Sequence, residues 1–303
     1  MKMSQLAVLM AAGTLFVAVP LFAQNAGQGR AIVTIFAKHS EVAPTVSQQD
    51  VSAKVNGKDS SVTGWAQFKA ADDGLELVVL IDGAANNLGR QFDEIKQFVG
   101  NLGPQTKIAV GYMENGRAAM AGPLTADHKQ VLSQLHLPGG PHANPYFSLS
   151  DLAQNWPSRV PKVRREVIIF CDGIDPNIQR FDPDDIYVQS AIRDSVRAGL
   201  VVYAIYWRSR PESATADNGG ESLLSEVTDA TGGYNYSSGL QNPISFEPFF
   251  KDLVRRFANQ YAVEFTARVD RKPAVESMKL KVEGLGLQVT APQQVYVTLG
   301  GSE

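Results

Sequence analysis

A chain of 303 residues, 44% hydrophobic and 19% charged, has ordinary globular composition and enough apolar content to bury a core. Its formal net charge of −3, with arginines paired only at Arg164–Arg165 and Arg255–Arg256, carries none of the basic bias of a nucleic-acid partner. One cysteine, Cys171, excludes an intrachain disulfide framework.

The N-terminus has the layout of a signal peptide over residues 1–23. Lys2 supplies a positive charge, Leu6–Val19 is an apolar run, and Pro20 and Ala23 offer a cleavage point near Ala23. The run is short for a membrane-spanning helix. The expectation is therefore an extracytoplasmic protein, periplasmic or secreted, with no transmembrane segment in the mature chain. Residues 24–74 read as a β-rich flank. Ala31–Ala37 is a strand, Val51–Asp59 a short strand followed by an Asn-Gly turn, and SSVTGWAQFK continues in the same style. These strands are too few to make a core alone and must pair with something else.

From Leu75 the pattern alternates. Strand Leu75–Asp82 leads to helix Leu88–Leu102, with apolar positions 88, 92, 95, 99 and 102 at helical spacing. Strand Lys107–Met113, a turn at Glu114-Asn115-Gly116 and strand Ala118–Thr125 form a hairpin, and Thr125 is placed to cap helix Ala126–Leu135. After a Gly- and Pro-rich loop come helix Ser148–Trp156 and the almost wholly apolar strand Arg165–Asp172, as a strand buried on both faces requires. Cys171 in that strand reads as a small core hydrophobe. Helix Asp182–Ala198, strand Leu200–Trp207, a polar loop Ser209–Gly220, helix Glu221–Ala230, a short strand and helix Ser245–Asn259 follow. The chain ends in β segments at Tyr261–Val269, Met278–Glu283 and Leu287–Val297, the last broken near Pro292.

This order predicts an α/β fold: a doubly wound, mainly parallel sheet with one antiparallel edge strand over residues 75–259. Residues 260–303 should pair with the 24–74 flank as a small β-rich part.

Three stretches carry a resemblance. They are VVLIDGAAN after the first strand of the alternating region, VIIFCDGID after its fourth, and DATGGYNY between the last helices. With them the chain resembles the von Willebrand factor type A domain, and PYFSLSDLAQNWP is similar to the variant common in acidobacterial exported proteins. The resemblance implies a Mg²⁺ or Mn²⁺ site assembled from three loops at the carboxyl end of the sheet, completed by an acidic side chain of a partner protein. Carried over residue by residue, Asp82 matches the first aspartate of the family's Asp-x-Ser-x-Ser and Asp172 the aspartate of the third loop. Ala84 and Asn86 stand where the two serines belong. The threonine of the second loop has no clear counterpart: Ser148 is the nearest hydroxyl, although it also fits a helix N-cap with Asp151 three residues on. Asp175 adds a carboxylate to the third loop. The metal ligands implied are thus Asp82, Asn86, Ser148 and Asp172, a reduced set for an ion that wants hard oxygen donors. Asp82 and Asp172, each followed by glycine, also fit tight turns that accept backbone N–H bonds.

No catalytic set accompanies these residues. His39, His128, His136 and His142 form no ligand spacing, and no nucleophile elbow or phosphate-binding loop is present. The function expected is a non-enzymatic protein-interaction or adhesion module. It would be metal-independent and cofactor-free, with its protein partner at the loops on the carboxyl end of the sheet. Metal-dependent adhesion through Asp82 and Asp172 is the alternative, and a hydrolase the third reading.

Overall fold

The computed structural model describes residues 26–38, 45–140, 143–176, 181–239, 241–269 and 272–300. The signal peptide and His39 and His142 lie outside the described residues. In chain order the elements begin with β1 (Ala26–Ala37), β2 (Val51–Val55), β3 (Lys58–Gln67), β4 (Leu75–Asp82), α1 (Arg90–Asn101), β5 (Lys107–Glu114) and β6 (Arg117–Met120). Next come α2 (His128–Gln134), α3 (Pro145–Gln154), β7 (Arg164–Cys171), α4 (Ile186–Ala198), β8 (Leu200–Tyr206) and α5 (Ala214–Thr231). The last are β9 (Tyr234–Tyr236), α6 (Glu247–Ala258), β10 (Gln260–Arg268), β11 (Ala274–Val282), β12 (Leu287–Thr290) and β13 (Gln294–Leu299).

Two sheets organise the chain. The strands from both ends run in the order β10-β3-β2-β11-β13-β1-β12, and β1 also pairs with β10. Every pairing is antiparallel, so the ring β10-β3-β2-β11-β13-β1 closes into a six-stranded barrel. Alternation supplies its interior: β2 buries Val51, Ala53 and Val55 and exposes Ser52 and Lys54, while Val33, Ile35, Val263, Phe265, Met278 and Val297 fill the same core. The second sheet is mixed, in the order β6-β5-β4-β7-β8-β9, with β6 antiparallel to β5. Every residue of β4 is buried because both faces are covered. Leu77, Val79 and Ile81 pack in one core with α1 and α6 residues such as Phe92, Phe98, Phe250 and Phe257, and Val78 and Leu80 in another with residues of α3, α4 and α5.

The expected fold class is therefore corrected. The chain is not one doubly wound, mainly parallel α/β protein with a small β appendage; a closed antiparallel barrel stands beside a mixed sheet. The reason is physical: each flank alone offers too few strands, but together they supply seven, six of which close into the ring while β12 adds to β1, and closure removes the exposed edges that an open sheet would leave to those six.

Local expectations shift as well. Asn56 and Gly57 do take positive φ in the β2–β3 turn. The strand after the β5 hairpin stops at Met120, Thr125 making an isolated bridge to Ile108. Asp127, not Thr125, caps α2, its side chain accepting the Gln130 N–H. Asp185 caps α4 by accepting the Tyr187 N–H at 2.8 Å, so that helix begins at Ile186 rather than Asp182. The largest change is in α5, which starts at Ala214 behind a Ser213 cap and takes in half of the stretch expected as a polar loop. Among the described residues no helix is long and apolar enough to cross a membrane.

Candidate functional site

Strands β4 and β7 are parallel neighbours, with Ile81 opposite Phe170. Asp82 and Asp172 therefore leave adjacent strands at the same carboxyl end, where the loops into α1, α4, α5 and α6 also gather. Open α/β sheets place ligand sites at such positions.

Asp82 is fully buried and its carboxylate is engaged on both oxygens. Oδ1 accepts the Ala84 N–H at 2.8 Å and the Ala143 N–H at 3.2 Å. Oδ2 accepts the Ser209 hydroxyl at 2.6 Å. A buried carboxylate needs such donors to offset its lost hydration. The result ties three loops to one side chain: its own turn, the segment before α3 and the loop after β8. Gly140 N–H donates to the Gly83 carbonyl at 2.8 Å beside it.

Asp172 is different. Its Oδ1 accepts the Ile174 N–H at 3.0 Å, while Oδ2 is buried with no hydrogen-bond partner among the described residues. Burial pushes its pKa up to about 7; the Ile174 N–H opposes the rise, the Asp82 and Glu212 charges add to it, and Arg210 opposes it. Near neutral pH this carboxyl is therefore partly protonated. Burial, together with the two aspartates, also raises the Cys171 thiol well above its ordinary range, which keeps it in the less nucleophilic thiol form.

The remaining residues fix the loops. Asn144 Nδ2 donates to Asp175 Oδ1 at 3.0 Å and the Tyr146 hydroxyl to the Gly173 carbonyl at 2.8 Å, which joins the start of α3 to the loop after β7. Asn87 accepts from Trp207 Nε1 at 2.8 Å and donates to the Arg208 carbonyl at 2.9 Å. Asn242 grips the Arg208 backbone from the loop before α6, accepting its N–H at 2.6 Å and donating to its carbonyl at 2.9 Å. Gly220 of α5 passes so close that a Cβ there would lie 2.2 Å from the Asp172 carbonyl oxygen. Glycines that read as loop in the sequence are thus a close approach inside a helix.

Of the four implied metal ligands, Asp82 and Asp172 come together. Asn86 is exposed on its turn. Ser148 is not a helix cap: Asn144 holds that position, and Ser148 lies inside α3, fully buried, with no partner for its hydroxyl among the described residues. Asp151, expected to complete the cap, instead accepts the Ala118 N–H at 3.0 Å. Among the described residues no group of three or more His, Cys, Asp and Glu side chains could hold a metal ion. One carboxylate taken up by protein donors, an alanine, and an exposed amide do not fit the divalent-ion shell that the resemblance implies. The hydroxyl that does reach Asp82 is that of Ser209, the first residue of the stretch read from the sequence as a polar loop and not among the implied ligands. Its only signal was its place just past a neighbouring strand.

No protein-family model and no curated protein matches this chain. Solved structures do. BatB from Bacteroides thetaiotaomicron is 14% identical, covering 61% of this chain and 97% of its own, with a TM-score of 0.45. Proximal thread matrix protein 1 from the mussel byssus, solved with a zinc-occupied MIDAS motif, is 15% identical over 66% of this chain and 48% of its own, with a TM-score of 0.46. The SpRpn10 VWA domain is 15% identical over 59% of this chain and 93% of its own, with a TM-score of 0.41. One of these structures is described as a VWA domain, and the likeness of all three is one of fold alone.

Proposed function

We propose that this chain is a non-enzymatic protein-interaction or adhesion module that works outside the cytoplasm and binds its protein partner, without a divalent ion, through the loop face at the carboxyl end of the mixed sheet. The observation that carries the reading is the state of Asp82. Its carboxylate serves as an internal tie between three loops, accepting from Ala84, Ala143 and Ser209, rather than standing open toward an ion. Apolar exposure on the same face supports contact there. Ile244, before α6, is 87% exposed and Ile186, at the start of α4, 70%; Tyr187 beside Ile186 packs tilted against Phe147 at 4.4 Å between ring centroids. Large apolar side chains left in water mark interaction surfaces when they gather on one face. The signal-peptide layout of residues 1–23 supports export.

The test has two arms. In thermal melts of the mature protein, millimolar Mg²⁺, Mn²⁺ or Ca²⁺ should leave Tm where it is. A rise in Tm that disappears in Asp172→Ala would show an ion bound to the native state and overturn metal independence. In the second arm, chemical cross-linking in the producing cell should trap a protein in the wild type, with or without EDTA, and not in an Ile186→Asp, Ile244→Asp variant that melts normally. Equal trapping by that variant would move the contact surface elsewhere. Turnover in a broad hydrolase screen that is lost in Asp172→Ala would replace the binding reading with an enzyme.

A further inference from the structure

A second feature of the molecule is independent of the loop face. Where the barrel packs against the amino ends of β7 and β8, a cavity of about 430 Å³ opens to solvent on one side. Its size and its place at a junction between two layers are those of small-molecule pockets. Ile32, Val201 and Tyr296 supply apolar wall. Four charged side chains from three elements and a turn also line it: Arg30 of β1, Lys162 before β7, Arg197 in the last turn of α4 and Glu264 of β10.

The charges do not balance. Glu264 pairs with Lys162 at 3.2 Å, and it is also the carboxylate that faces Arg30, whose guanidinium is held by bonds to the Lys162 and Val163 carbonyls at 2.9 and 3.4 Å. Burial lowers the pKa of Arg30 against the pull of Glu264, so this cation sits partly desolvated, and among the described residues its counter-charge is the Glu264 that it shares with Lys162. Arg197 lies over the Tyr296 ring, 5.8 Å from its centroid, a contact that fixes the guanidinium at the cavity wall without neutralising it. Among the described residues three cations and one carboxylate line a wall that is part polar and part apolar, which matches a ligand with one anionic head and a compact apolar body.

We propose that this cavity binds a small organic carboxylate, its head among Arg30, Lys162 and Arg197 and its apolar body against Ile32, Val201 and Tyr296. Glu264 then competes with the ligand for the same cations. Nothing in the proposal depends on the loop face, so either can fail alone.

Calorimetric titration of the mature protein with phenylacetate, and with neutral phenylacetamide as the matched control, tests it. Phenylacetate should bind saturably, and phenylacetamide should not. Glu264→Gln should tighten phenylacetate severalfold by removing the competing anion. Arg197→Glu should weaken it by about tenfold or more, the loss of one charge-assisted contact. Arg197 is exposed, so the variant should melt as the wild type does, and the Glu264→Gln arm decides the matter if it does not. Absence of saturable binding in both wild type and Glu264→Gln would overturn the proposal. So would equal binding of phenylacetamide, or phenylacetate affinity unmoved in both variants.

Discussion

The Ser209 hydroxyl meets Asp82 Oδ2 at 2.6 Å, joining residues 127 positions apart in the chain. A hydrogen bond to a buried carboxylate is worth about 1–3 kcal/mol. Ser209→Ala should therefore lower stability by that amount in urea unfolding, without changing secondary structure by circular dichroism. Asp82→Ala should cost more, because the Ala84 and Ala143 N–H groups lose their acceptor at the same time. Equal stability of Ser209→Ala and wild type would remove Asp82 from its place as the tie between the loops.

The pH profile should follow two buried carboxyls. Burial pushes Asp172 and Glu166 each up to about 7, Glu166 against the opposing charge of Arg164. Their unfolded values lie near 4. Between about pH 4 and pH 7 the native state then holds protons that the unfolded chain has released, so stability falls as pH rises and levels off above about 7. The slope is up to about 1.4 kcal/mol per pH unit for each proton of difference. Urea midpoints should be higher at pH 5 than at pH 8, and Asp172→Asn with Glu166→Gln should flatten the curve. A midpoint that climbs from pH 5 to pH 8 would contradict the assignment.

Gly173 should tolerate no side chain. It has a φ of +72°, and a Cβ there would lie 2.3 Å from the Gly220 carbonyl oxygen. Left-handed strain and overpacking together should make Gly173→Ala about 2–4 kcal/mol less stable, measured by chemical unfolding. Because the clash is with α5, the displacement should also reach Asp172, and its titration followed by NMR should shift with it.

Arg164 should be the costliest polar position to change. Fully buried, it donates to the carbonyls of Asp73, Phe257, Ala70 and Ala71 and to Gln260 Oε1. Arg164→Met removes these donors and takes the counter-charge from buried Glu166. The expected loss is about 3–5 kcal/mol, read from the urea midpoint at neutral pH. It should shrink at pH 5, where Glu166 is protonated.

What the sequence made legible, and what it hid, divides along the range of the interactions. Asp82 and Asp172 stood out because each ends an apolar run, a pattern written within ten residues. Ser209 did not, because its bond to Asp82 spans the fold and leaves no periodic trace. Gly219-Gly220 read as loop punctuation, yet Gly220 lies inside α5 where that helix presses on the Asp172 carbonyl. Asn144 takes the cap position expected of Ser148 because Pro145 can open a helix, which moves its start three residues earlier. The barrel was hidden in a different way. Each flank showed its strands through alternation, but closure depends on β1 pairing with both β10 and β13, contacts between opposite ends of the chain.

That closure has a consequence for how the molecule could be taken apart. Gln67, the last residue of β3, is paired with Tyr261 of β10, and the Phe68 N–H donates to the Gln260 carbonyl at 3.1 Å. Everything from β4 to α6 leaves the barrel and returns to it through this one doorway. To the barrel, the whole mixed sheet with its helices is an oversized hairpin loop. A short turn joining Gln67 to Gln260 would preserve every strand pairing of the ring, so the loop-face module is a cassette that evolution, or an engineer, can exchange without redrawing the frame that holds it.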